Sequence, residues 1–212
     1  MPPTLSLVLL GPFQVTLAGK PVTALRTQKE RALLAYLAVE SDRPHGRQTL
    51  GELLWPERPT GVARVNLRQA FLGIRQALGG TWPSAPFFLV ANDTIQFNPA
   101  SDYWLDTTVF ADSLIARSPL PNSLATHDLI AAASLYRGEF LEGLSLKDAP
   151  DMEQWVLFQR ERFLRWQLET LQRLTGRLQQ SGNHALALEY AWQQMRLDPL
   201  QENVYRRLML LL

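Results

Sequence analysis

Hydrophobic periodicity changes twice along these 212 residues, and the order of the changes restricts the fold more than any other feature. An apolar run, Leu5-Ser6-Leu7-Val8-Leu9-Leu10, leads through Gly11-Pro12 into the alternating Phe13-Gln14-Val15-Thr16-Leu17, with Gly19-Lys20 beyond. Alternation at period two with Gly and Pro punctuation reads as two or three short antiparallel strands. Helical spacing then takes over. Thr27 and Glu30 form a capping-box pair, and Leu33, Leu34, Leu37 and Ala38 follow at helical intervals, so a helix is expected over about 28–40. Ser41-Asp42-Arg43-Pro44 breaks it, a second helix is expected over about 47–54 before Pro56, and a third over about 61–78 ends at Gly79-Gly80. Apolar residues on either side of Asn92-Asp93, from Phe87 to Ala91 and from Thr94 to Phe97, then read as a β-hairpin.

Strands, three helices and a hairpin, in that order, predict an α+β winged helix-turn-helix over 1–98, with an N-terminal β-sheet and a C-terminal hairpin wing. From Leu105 onward the pattern is helical almost throughout. Helices are expected near 105–117, 126–138, 152–181, 184–197 and 201–212, an all-α domain over 99–212. The pair flanking Gly182 resembles one tetratricopeptide-like unit, with Ala185, Leu188, Ala191, Trp192 and Met195 on one face and Trp192 at a core-like position. The chain stops at Leu208-Met209-Leu210-Leu211-Leu212, inside an apolar helix. The helical domain is therefore expected to be truncated at its C-terminus.

Composition narrows the function. There is no cysteine, hence neither a disulfide framework nor a thiolate metal site. No 18 apolar residues run together, so a cytoplasmic protein without membrane attachment is expected. The net charge of +1 hides an asymmetry: residues 1–98 carry 10 Lys/Arg against 6 Asp/Glu, residues 99–212 carry 11 against 14. A basic first half suggests a polyanionic partner for it.

The third helix concentrates that signal. Leu67, Ala70, Phe71, Ile74 and Leu78 share the face that packs inward. The opposite side carries Val65, Gln69, Leu72, Gly73 and Gln76, flanked by Arg64, Asn66, Arg68 and Arg75, with no carboxylate. Arg, Gln and Asn match the hydrogen-bonding edges of guanine and adenine in a major groove. Arg68, Gln69, Val65, Leu72 and Gly73 are expected at base edges, Gly73 because it removes bulk. Arg64, Asn66, Arg75, Gln76 and Arg47 are expected at phosphates. The acidic Asn92-Asp93 tip makes this wing a poorer phosphate clamp than a lysine-tipped one.

These residues also carry a resemblance. Leu9-Leu10-Gly11-Pro12-Phe13, Arg31 to Leu37, Leu50 to Trp55-Pro56, and Asn66-Leu67-Arg68-Gln69 through Ile74 to Leu78 resemble the OmpR-type winged helix of the SARP family, the Streptomyces antibiotic regulatory proteins and their wider bacterial relatives. Leu135 to Gly143, Trp155, Arg160-Glu161, Ala185 to Glu189 and Leu197 to Glu202 are similar to that family's bacterial transcriptional activator domain. Gly73 departs from the Ser or longer polar residue of many relatives. The resemblance implies an activator that binds double-stranded promoter DNA at tandem repeats, self-associates there and contacts RNA polymerase.

No catalytic set stands out, so no enzyme is expected, and no cofactor or metal. His45, His127 and His184 are isolated in sequence, and there is no Gly-rich phosphate loop. Asp148, Asp151 and Glu153 cluster at a helix start, where carboxylates favour the dipole. The competing reading is a helical-repeat scaffold for protein partners whose winged helix does not bind DNA; carboxylates on the outer face of the third helix would have favoured it.

Overall fold

The structure is a computed structural model that describes residues 4–79, 87–115, 125–199 and 209. Its elements run in the order β1 (Leu5–Val8), β2 (Gln14–Leu17), β3 (Lys20–Pro21), α1 (Gln28–Val39), β4 (His45–Gly46), α2 (Arg47–Leu54), α3 (Thr60–Ala77), β5 (Phe88–Val90), β6 (Thr94–Phe97), β7 (Tyr103–Leu105), α4 (Asp106–Ile115), α5 (Thr126–Leu135), α6 (Pro150–Gln180) and α7 (His184–Leu197). An N-terminal mixed sheet precedes three helices and a second sheet, an arrangement compatible with a winged helix-turn-helix followed by a helical domain. The helix expected over 201–212 lies almost wholly outside the described residues.

Packing divides the chain into two compact units, Met1–Thr108 with Phe140–Phe158, and Val109–Glu139 with Gln159–Leu212. This is not the break at 98/99 expected from the sequence, because residues on the far side of that point complete the first unit. Its larger sheet has the order β3-β2-β1-β7, antiparallel except for β1 and β7, which pair in parallel. Leu5 and Leu7 of β1 are fully buried between half-buried Ser6 and Val8, as period two requires. Beyond β1 the chain meets a segment from far along the sequence: the Leu141 N–H donates to the Leu9 carbonyl and that of Glu142 to Gly11. Trp155 packs edge-on against Tyr36 and Phe140, and its indole N–H donates to Glu40 at 3.0 Å.

The Thr27 capping box forms as expected, with the Glu30 N–H on the Thr27 hydroxyl and the Thr27 N–H on the Glu30 carboxylate. The smaller sheet, β4-β6-β5, carries the expected hairpin. Phe88 of β5 stacks edge-on between Phe71 of α3 and Phe97 of β6, and Phe97 in turn meets Tyr103. These pairs seat the hairpin against α3.

In the second unit, Leu129 and Ala133 of α5 form a core with Leu171, Leu174 and Leu178 of α6 and Ala187 of α7. Gln167 is fully buried and donates to the Ala133 carbonyl. The inward face of α7 is Ala187, Ala191 and Gln194, whereas Trp192, expected inside, is 40% exposed. Two alanines and the amide of Gln194 hold the inner positions, and the bulky indole lies largely outside. Among the described residues no helix is long and apolar enough to cross a membrane.

Candidate nucleic-acid interface

α3 is held by its inner stripe. Ala63, Leu67, Ala70, Phe71 and Ile74 are buried, and a Cβ added at Gly51 of α2 would meet Ala63 at ordinary contact distance, so α2 and α3 approach closely there. That leaves the opposite side of α3 uncovered. At 3.6 residues per turn, Val62, Val65, Gln69, Leu72 and Gln76 fall within roughly a quarter of the circumference and form one outward stripe. All five are exposed, and α3 contains no acidic residue.

The arginines do not surround this stripe. Arg64, Arg68 and Arg75 all lie along one edge of it, between the stripe and the buried face. Arg64 and Arg68 are exposed, and neither has an ion pair among the described residues. They line a depression of about 320 Å³ together with Arg47, Val65, Leu67 and the hairpin-tip residue Asn92. Arg47 opens α2, its backbone N–H donates to the Asp93 carbonyl at 2.8 Å, and its Nε is buried without a hydrogen-bond partner. The hairpin turn is thereby fastened beside the start of α2, and three arginines line the depression next to it.

Some expected site residues stand elsewhere. Gly73 is turned toward α1, where a Cβ would collide with the Glu30 carboxylate, the same group that closes the α1 capping box. Its lack of a side chain makes room for Glu30. Arg68, expected at a base edge, is gathered with Arg47 and Arg64. Asn66 is half-buried on the flank away from the arginines, and Arg75 is half-buried with an intramolecular partner. Lys29 is engaged as well: it sits 5.0 Å above the Trp55 ring and 2.7 Å from Asp148. Glu52 of α2 accepts from Gln48. The sequence pointed to the helix and the side, but the convergence of Arg47 with Arg64 and Arg68 depends on the hairpin's return, which periodicity does not register.

The final stretch, residues 113–212, matches the family of the bacterial transcriptional activator domain. A segment of 72 residues is 42% identical to the transcriptional regulatory protein EmbR of Mycobacterium bovis and of Mycobacterium tuberculosis, covering 34% of this chain and 18% of those relatives. The solved structure of Mycobacterium tuberculosis EmbR in complex with a low-affinity phosphopeptide superposes with a TM-score of 0.75 at 23% identity, over 99% of this chain and 54% of that one. This chain therefore spans about half the length of that solved relative.

Proposed function

We propose that the chain is a sequence-specific double-stranded DNA-binding regulator of the SARP family, a reading supported by the match of residues 113–212 to the bacterial transcriptional activator domain. In this reading α1, α2 and α3 form the helix-turn-helix, β5 and β6 the wing, and α6 and α7 a tetratricopeptide-like pair. The outward stripe of α3 enters the major groove. Arg47, Arg64 and Arg68 neutralise backbone phosphates beside it, fixing register without reading sequence. The observation that carries the proposal is the acid-free α3, along one edge of which Arg64 and Arg68, without an ion pair among the described residues, line a depression with Arg47 beside the hairpin tip.

The regulator acts in the cytoplasm as an activator at tandem promoter repeats, where copies associate on DNA, and the helical second unit offers a docking platform for RNA polymerase. Binding of the full chain to a labelled random-sequence duplex across a salt series tests the DNA contact. The log–log slope is expected at about −0.9 per phosphate neutralised. Arg64→Ala and Arg68→Ala each lower affinity on every duplex and flatten the slope by about one. Salt-independent binding, or none, overturns the proposal.

A further inference from the structure

The side chains on the outward stripe of α3 are not those that read guanine. Val62 is 45% exposed, Val65 57% and Leu72 44%, and the polar members of the stripe are the neutral amides Gln69 and Gln76. Scattered exposed apolar residues are ordinary on a soluble protein. Here three lie on one line of one helix, and an aligned apolar patch marks a contact surface. The occupant is indicated by charge: the patch is edged by Arg64 and Arg68, and no carboxylate on α3 would repel a polyanion.

Within a major groove, the apolar feature that a valine or leucine meets is the C5 methyl of thymine, and the bidentate partner of a glutamine is adenine. Resting on the DNA-binding reading above, we propose that this stripe reads A·T pairs, with Val65 and Leu72 seated on thymine methyl groups and Gln69 between them on an adenine. Seven residues separate Val65 from Leu72, about 10 Å along the helix axis. The base-pair rise is about 3.4 Å along the duplex axis and longer along the oblique groove, so with the helix axis following the groove that distance spans roughly two to three base-pair steps. The arginines, which would otherwise read guanine, are displaced to the edge where Arg47 joins them. A·T selection then rests on methyl burial and one amide rather than on guanidinium forks.

The test starts by enriching sites for the full chain from a random duplex library. Fixed thymines are expected roughly two to three steps apart. Each is then replaced by dU, which deletes only the methyl and leaves pairing intact. Affinity is expected to fall roughly fourfold per site, the worth of one buried methyl group. Val65→Ala and Leu72→Ala, both at exposed positions that do not threaten the fold, should each lose the preference for thymine over dU at one site and keep it at the other. Enriched sites that tolerate dU everywhere, or variants that weaken thymine and dU duplexes equally, overturn the inference while leaving DNA binding intact. Failure to enrich any duplex overturns both it and the DNA-binding reading. Self-association without DNA that Val65→Ala abolishes assigns the patch to a second copy and likewise overturns the inference.

Discussion

Asp106 is fully buried and accepts from the backbone N–H groups of Leu9, Leu10 and Thr107 at 2.8 Å each. Its removal strands buried donors at the end of β1, so Asp106→Ala is expected to cost about 3 kcal/mol in urea unfolding, with Asp106→Asn losing less because one acceptor oxygen remains. Gly73 acts through a single contact. In Gly73→Ala the new methyl displaces Glu30 from its capping box, a loss of about 1 kcal/mol. The gain in helix propensity is of similar size, so wild-type stability should hardly change. In a Glu30→Ala background the clash is gone, and Gly73→Ala should stabilise by about 1 kcal/mol. Equal effects in both backgrounds would show that Glu30 is not the neighbour that matters. The Lys29 hydrogen bond holds the Asp148 carboxyl below the usual carboxylate range. Such a depressed group adds stability above its unfolded pKa of about 4 and loses it as pH falls through the lower folded value. Asp148 is 64% exposed, so the contribution is small, and Asp148→Asn should slightly flatten the acid limb of a stability profile.

At the scale of elements, α1, α2, α3 and the hairpin were legible because each repeats an apolar spacing or carries a cap. Thr27 and Glu30 marked the start of α1 and Asn92-Asp93 the turn. β4 and β7 were not legible. His45-Gly46 is too short to show alternation, and Tyr103-Trp104-Leu105 becomes a strand only through its parallel pairing with Leu5–Leu7. The candidate site divides in the same way. Its outward stripe follows from helical spacing alone, whereas the grouping of Arg68 with Arg47 and the turning of Gly73 toward Glu30 depend on neighbours distant in sequence. A helix pattern gives the angle of each side chain but not what stands beside it. Trp192 adds the converse lesson: an aromatic at helical spacing was expected inside, yet Ala187, Ala191 and Gln194 take the inner positions of α7.

At the scale of the molecule, the two sequence signatures that looked like marks of separate halves meet in one unit. Leu9 to Pro12 pairs with Phe140 to Glu142, and Trp155 packs on Tyr36. A fragment ending at residue 98 lacks β7, Asp106 and the 140–158 segment. It exposes Leu9 and Leu10, both fully buried in the whole chain. Such a fragment is expected to show no cooperative thermal transition by circular dichroism. A sharp transition within a few degrees of the full chain's would mean that the later segment is dispensable. The same interleaving sets a schedule for synthesis. Residues 109–139 must leave the ribosome before the strand partners of Leu9 and Leu10 appear, and the first unit is complete only once Phe158 has emerged. At about 5–20 residues per second, translating from Thr108 to Phe158 takes roughly 3–10 s. Through that interval the nascent N-terminal part carries unsatisfied edges, and it acquires its full unit only after a portion of the second unit has already been made.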